Sequence, residues 1–401
     1  MTSGSPLHLA VALDGAGWHP AGWRAVDARP AELFTAAYWR DLVVEAERGL
    51  LDLVTLEDGL AVQSTDPHAP DDRVDRVRGR LDAVLVAARV APLTSRVGLV
   101  PTVVATHTEP FHVSKAIATL DHVSSGRAGV RVRVSGRADE AALFGRRAFP
   151  PLVHADDAPP EHLQVRTDLL AEAADHVEVQ RRLWDSWEDD AEIRDAATGR
   201  FVDRDKLHHI DFEGRWFSVR GPSITPRPPQ GQPVVAVLAH GEEPIRLAAR
   251  AADVVLVTPR DAADAARLVG LVRAAQADAG RGDETVHVLA DVAVLLDDTA
   301  AVARDRKARL DARADGEWTG DDAHLVVGTA AEVADLLLDW RAAGVTGFRL
   351  RPASLPHDLI GVTRALVPQL QARGVFRAGY DFSTLRGHLG LPRPVNRYAH
   401  A

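Results

Sequence analysis

Arginine and valine alternate in GVRVRVS, from Gly129 to Ser135, and this spacing offers the clearest chemistry in the chain. In an extended strand successive side chains face opposite ways, so Arg131, Arg133 and Ser135 share one face and Val130, Val132 and Val134 the other. The valines are expected to pack under helices and the arginines to point inward. Inward guanidinium groups lose several kcal/mol of hydration unless paired, so they require carboxylates, a phosphate or water. Asp58, at the end of LVTLED, is one acid that could supply the pairing, and it reads equally well as a helix cap or loop acceptor. Thr102, just after Pro101, is readable as a strand-end turn residue.

Other chemistries are poorly supported. With no cysteine there is no thiolate nucleophile, disulfide, or Cys-based zinc or iron–sulfur site. His208 and His209 are neighbours whose side chains point apart in an extended segment, and no further ligand completes a metal site, so no metal is expected. His107 and His112 flank a helix start and read as capping or packing residues. No Gly-x-Ser-x-Gly elbow marks a serine hydrolase, and no Gly-x-Gly-x-x-Gly loop follows a strand. No catalytic acid or base can be named. Redox chemistry would have to come from a cofactor.

The elements that must hold these residues alternate along the chain. Eight β-like runs, at 7–13, 52–56, 97–100, 128–134, 234–238, 253–257, 286–295 and 347–350, are separated by amphipathic helical patterns, with a closing helix over 356–373. That order implies an α/β fold, a (β/α)8 TIM barrel, with function on the loops after the strand C-termini. Residues 1–401 are expected to form a single barrel domain. Insertions at about 136–166, 188–233 and 312–328 would lie over the C-terminal mouth, and an arm would span 374–401. The net charge of −10 argues against a nucleic-acid or anionic-membrane surface. No run is long and apolar enough to span a bilayer and the N-terminus has no leader pattern, so a cytoplasmic location is expected.

The wording of several long segments carries a resemblance. RVGLVPTVVATHTEPFHVSKAIATLDHVSSGRAGVRVRVS at Arg96 to Ser135, WHPAGWR at Trp18 to Arg24, GRWFSVRGPSITPRPPQGQPVV at Gly214 to Val235 and TLRGHLGLPRPVNRY at Thr384 to Tyr398 stand in order over nearly the whole chain. They resemble the bacterial-luciferase-like flavin monooxygenases, in the branch of the nitrilotriacetate and dibenzothiophene-sulfone monooxygenases. The resemblance implies a two-component enzyme that uses reduced FMN, supplied by a separate flavin reductase, and O2 to oxygenate a small organic substrate. It also implies a homo-oligomer.

By the same resemblance, Asp58, Thr102 and Ser135 keep family residues near the flavin, and Trp18, His19 and Trp23 become substrate-side walls. Other positions depart from the pattern. Arg131 replaces an Asn, and Arg166 and Leu170 replace a His and a Tyr that reach the phosphate and ribityl chain. The phosphate loop reads Val237 to Gly241 and then Glu242 and Glu243, with His240 and Gly241 as its remaining anchors. A helix N-terminus binds phosphate through free N–H groups, and carboxylates in that first turn gain ~0.3–1 kcal/mol each. The loop could therefore already hold its own anion. Arg131 either holds an anionic ligand or pairs with Asp58 and fills the flavin slot. Two functions remain open: the FMN-dependent monooxygenase, and a flavin-free, non-catalytic homologue with a binding or structural role.

Overall fold

The computed structural model describes residues 7–66, 69–150, 159–314 and 316–399. Eight parallel strands close into a barrel: β1 (His8–Leu13), β2 (Leu53–Leu56), β3 (Gly98–Val104), β4 (Gly129–Arg133), β5 (Val234–Leu238), β6 (Val254–Val257), β7 (His287–Leu296) and β8 (Gly347–Pro352). Each pairs with its neighbour in chain order, and β8 returns to β1 to complete the ring. All eight expected strands are present. β3 runs past its expected end at Val100, straight through Pro101, so Thr102 lies within the strand and opposite Arg131. Proline has no N–H to donate and reads as a terminator; here the ladder continues around it.

Helices cover the outside, and their starts are written locally. Thr35, Asp82 and Asp261 accept the backbone N–H of Tyr38, Leu85 and Asp264 at the heads of Ala36–Arg48, Ala83–Val90 and Ala262–Asp278. Thr329 and Glu332 form a reciprocal capping box at the head of Ala330–Ala342. Between strands and helices lies the main core, to which the outward residues Val11, Val54, Val130, Val235, Val255 and Phe348 contribute. The valines of GVRVRVS accordingly face the helices, with Val130 and Val132 buried there.

The expected excursions contain structure of their own. Within 136–166 there is a short helix, Ala138–Phe144, and the long helix Pro160–Asp185 begins inside the stretch; residues 151–158 fall outside the described residues. Residues 188–233 carry two small antiparallel ribbons, Glu192–Asp195 with Arg200–Val202 and Phe212–Glu213 with Ser218–Val219. The stretch 312–328, of which residue 315 is not described, ends in the strand His324–Gly328, which pairs in parallel with the upper part of β7.

Inside, the barrel is layered. Its N-terminal half is mainly apolar, with Ala10, Leu53, Val100, Val234, Leu256 and Leu289 meeting Leu385, Leu389 and Leu391 of the C-terminal arm, and at the strand starts His8 and His287 meet edge to face, His8 paired with the buried Asp52. Close strand packing at this end depends on Gly347, where an added Cβ would lie 2.6 Å from the His8 carbonyl oxygen. The arm is pinned by polar contacts. Gln230 accepts the Arg386 N–H and donates to Asp121, whose carboxylate also takes the Ala128 and Gln230 N–H groups. Asp121 and Arg127 of the LDHVSSGR string are therefore framework: the Arg127 guanidinium ties together the carbonyls of Ala91, Thr94, Val97 and Ser124.

Candidate functional site

At the C-terminal end the inward positions change from apolar to charged. Successive inward residues of β8 are Arg349 and Arg351, the inward residue of β7 is Asp291, and β2 leads into Glu57. Asp291 lies directly opposite Arg349 on the neighbouring strand and accepts its Nε at 2.8 Å, while the Arg351 Nε donates to the same carboxylate at 2.9 Å. Arg349 reaches on to Glu57 at 2.9 Å, Glu57 accepts Arg131, and Arg351 also pairs with Asp322 from the stretch before the strand His324–Gly328. The result is a chain of alternating charges across the mouth, from Arg131 through Glu57, Arg349, Asp291 and Arg351 to Asp322. Arg349 and Asp291 are 0% exposed.

Burial opposes ionisation of every member, and pairing decides which way each group moves. Burial alone would raise Asp291, yet the guanidinium groups of Arg349 and Arg351 hold it down at about 2. Glu57 is likewise held below the usual carboxylate range against burial, by Arg131 and Arg349 together. Burial pushes the Arg131 guanidinium down to about 10, because its one carboxylate is shared and Arg349 and Arg133 repel it. The two partners of the Arg131–Glu57 pair thus differ: Glu57 gains from two cations, whereas Arg131 has half of one anion.

Above this layer opens a cavity of ≈ 650 Å³, within the range of small-ligand sites. Its apolar wall comes from Val132, Val134, Leu170, Val237, Leu238 and Leu247. Six arginines and four carboxylates line it, an excess of cations inside a protein whose net charge is −10. Arg80 is paired with Asp14 through two hydrogen bonds of 3.1 and 2.6 Å. Arg133 donates to the Asp58 backbone carbonyl at 2.9 Å, and neither Arg133 nor Arg166 has a carboxylate partner among the described residues. A second cavity of ≈ 290 Å³ adjoins the first and shares Asp14, Trp18 and Arg80 with it.

The residues singled out from the sequence are distributed unevenly around these spaces. Asp58, Arg131, Arg166 and His240 line the larger cavity, and Trp18 lines both. Arg131 points inward, but Glu57 pairs with it and Asp58 does not. The Asp58 carboxylate instead accepts the N–H groups of Gly59 and Ala83, the capping alternative, and burial raises its pKa despite those bonds. Thr102 sits behind the cavity wall, where its hydroxyl accepts Arg131 Nε at 2.9 Å. Ser135 is buried in the turn after β4, its N–H donating to Thr106 and its hydroxyl accepting the Arg137 N–H. Neither lines the cavity.

His240 bridges Thr258 and Asp322 at 3.1 Å each. Gly241 caps the helix Glu242–Ala251 with φ +129°, a backbone shape that favours glycine. Glu242 turns outward toward Arg246 and Glu243 accepts the Thr167 hydroxyl at 2.9 Å, so neither carboxylate lines the cavity beside that helix start. Trp18 stacks under the Arg351 guanidinium, 4.5 Å from its centre to the ring, and donates Nε1 to the Ala12 carbonyl. Trp23 and His19 line the smaller cavity. His19 is buried with both ring nitrogens engaged: Nδ1 accepts the Ala21 N–H and Nε2 faces Asp311. Burial lowers its pKa in spite of that acid.

Glu57, Asp291, Asp322, Arg349 and Arg351 were not foreseen. One signal was available, because FRLRP in β8 repeats the alternation of RVRV in β4 and places two more arginines on one face. Asp291 is a single acid in a mainly apolar strand, Glu57 follows β2 and Asp322 precedes the strand His324–Gly328, and only closure of the ring brings them to the arginines. No group of three or more potential metal ligands occurs among the described residues.

Comparison with known proteins gives this architecture its context. The family model for luciferase-like monooxygenases matches residues 17–347. N-acetyl-S-(2-succino)cysteine monooxygenase of Bacillus subtilis (strain 168) is 31% identical, over 98% of this chain and 98% of its own. Nitrilotriacetate monooxygenase component A of Aminobacter aminovorans is 30% identical, over 100% and 99%. A crystal structure of riboflavin lyase, with modified FMN and riboflavin, superposes with a TM-score of 0.84 at 26% identity and 98% coverage of both chains. With a family match across most of its length and relatives 30–31% identical over nearly all of it, this chain belongs to the luciferase-like monooxygenase family.

Proposed function

We propose that the chain is the oxygenase component of a two-component, FMN-dependent monooxygenase acting on a small organic molecule at the C-terminal mouth of a single barrel domain. The carrying observation is the ≈ 650 Å³ cavity that combines an apolar wall with two arginines lacking a carboxylate partner among the described residues. FMN has the matching character, a flat apolar ring system with a phosphate at the far end. In this reading Arg166 holds the phosphate beside the helix start at Gly241, with His240 nearby. Leu170, Val237 and Leu247 flank the body of the cofactor, and Trp18 closes the opposite side. A forked guanidinium suits phosphate, and a helix start free of inward carboxylates does not repel it.

When bound in reduced form, FMN supplies the electrons and the O2 activation that no side chain of this chain can provide. The protein's own part is to bind, orient and exclude water. Arg166 and the backbone at Gly241 fix one end, the buried ion pairs form a rigid floor, and the apolar wall keeps the reacting space dry. A flavin reductase as partner belongs to the same proposal, supported by a relative named component A, and so does a homo-oligomer. No helix among the described residues is long and apolar enough to cross a membrane, and a cytoplasmic location is part of the proposal.

A second reading has its own support. Arg131 is paired within the chain, so the floor of the cavity is complete without a ligand, as it would be in a flavin-free homologue. Titration with oxidised and reduced FMN under anaerobic conditions separates the two. Saturable binding that Arg166→Leu weakens supports the oxygenase. Absence of binding in the wild type, with binding appearing in Arg131→Asn, supports the flavin-free homologue.

A further inference from the structure

Among the described residues His240 is the one histidine that lines the ≈ 650 Å³ cavity, and its side chain is 44% exposed. The ring has a partner at each nitrogen. Nε2 lies 3.1 Å from the Asp322 carboxylate, an acceptor that keeps the proton of the neutral ring on Nε2, and Nδ1 meets the Thr258 hydroxyl at 3.1 Å. A hydroxyl works in both directions: it donates to a neutral imidazole and, turned about its C–O bond, accepts from an imidazolium. Thr258 has no other side-chain hydrogen bond among the described residues to oppose that turn. His240 can therefore gain a proton at Nδ1 without losing either partner.

Asp322 does not neutralise such a proton, because it already serves Arg351. The chain that ends at His240 sets three cations, Arg131, Arg349 and Arg351, against three anions, Glu57, Asp291 and Asp322. It is balanced with a neutral ring and one positive charge in excess with a protonated one. Burial lowers the His240 pKa in spite of Asp322, with Arg351 and Arg349 adding to the fall and Asp291 opposing it. The other charges around the ring are spent elsewhere: Glu242 on Arg246, Glu243 on the Thr167 hydroxyl and, past Thr258, Arg260 on Asp264. A bound phosphate monoester changes this balance. It carries about −1.5 to −2 at neutral pH, against +1 from Arg166 and about +0.5 from the helix start at Gly241, so a dianion stays short by about half a charge. We propose that His240 supplies the missing charge by taking a proton from solvent when a flavin phosphate binds, and so selects FMN over riboflavin. This assignment rests on the reading of the cavity as a flavin site. In the bound state Nδ1–H donates to Thr258 and Nε2–H stays with Asp322.

Calorimetric titration with FMN and with riboflavin, in buffers of different ionisation enthalpy, tests the residue directly. FMN is expected to bind with net proton uptake, and its affinity to fall about tenfold or more between about pH 6 and 8, since a nearby anion raises a cation's pKa by one unit or more. The sign is informative: the second ionisation of the phosphate itself, at about pH 6, makes more dianion as pH rises and pushes affinity the other way. Riboflavin should show neither effect. His240→Asn should abolish the uptake and flatten the profile, whereas Arg166→Gln should weaken FMN at every pH and keep the slope. The imidazole ¹⁵N shifts of His240 read the same event in the wild type, with FMN and with inorganic sulfate, a dianion that takes no proton in this range. No uptake, an affinity that is flat or rises with pH, or an uptake that survives His240→Asn would each overturn the proposal. If FMN does not bind, the oxygenase reading falls, while the sulfate titration still decides His240: a ring that stays neutral there overturns its role.

Discussion

At its N-terminal end the barrel is closed chiefly by leucines: Leu385 and Leu389 of the arm press against Leu53, Val100 and Leu289, with the pairs His8–Asp52 and Arg386–Asp253 at its rim. At its C-terminal end the same ring of strands carries Arg131, Glu57, Arg349, Asp291 and Arg351, and a ≈ 650 Å³ cavity opens above them. The difference shows what each end is for. An apolar plug stabilises by removing hydrocarbon from water and has nothing with which to grip a ligand. A buried charge chain is a weak stabiliser, because desolvation consumes most of its Coulomb gain, but it leaves fixed charges at the edge of a cavity.

The largest test of this contrast is Arg349→Met. It leaves Asp291, which is fully buried, and Glu57, at the cavity floor, short of a cation, and the expected loss is about 3–5 kcal/mol in urea unfolding. A loss well below about 1 kcal/mol would mean that water or a counter-ion reaches the charge chain, a surface-like value. Leu385→Ala at the other end removes a fully buried side chain and is expected to cost about 3 kcal/mol while leaving ligand affinity unchanged, because the plug lies beneath the charged layer. A change in FMN affinity in that variant would show that the two ends are coupled.

Acid tests the charged layer next. The Asp291 carboxyl is lowered from 3.8 to about 2 in the folded protein. A lowered carboxylate stabilises fully above its unfolded value, and that contribution is lost as pH falls through the folded one. About 2 kcal/mol should therefore disappear between pH ~4 and ~2, and Asp291→Asn should flatten that part of the stability curve. A curve of unchanged slope in the variant would remove Asp291 as the cause. The smallest effect is expected for Trp18→Phe, which loses the hydrogen bond to Ala12 and weakens the stacking on Arg351. A change of about 1 kcal/mol, read by thermal unfolding, is the expected outcome.

Much of this was legible in the chain. The eight strands and the helices between them could be read because alternation and helical periodicity are local signals, and the capping residues Thr35, Asp261 and Thr329 mark helix starts in the same local way. The inward direction of Arg131 followed from period two alone. Its partner could not be read, since Glu57 and Asp58 are adjacent and point to different places: one enters the barrel and the other caps Ala83. Thr102 and Ser135 were placed by wording shared with a family. The fold puts the first behind Arg131 and the second in a buried turn.

By itself, the sequence determined the barrel, the face on which β4 carries its arginines, and the family to which the chain is similar, because these depend on short-range periodicity and on strings of contiguous residues. Which charge meets which was decided only in three dimensions. Asp291 and Arg349 are 58 residues apart, and Arg349 and Glu57 292 apart. Such pairs exist only after the ring closes and β8 lies between β7 and β1. Whether a guanidinium is left over for a ligand depends on that final pairing, which is why Arg133 and Arg166 stand out from the other arginines only in the folded molecule.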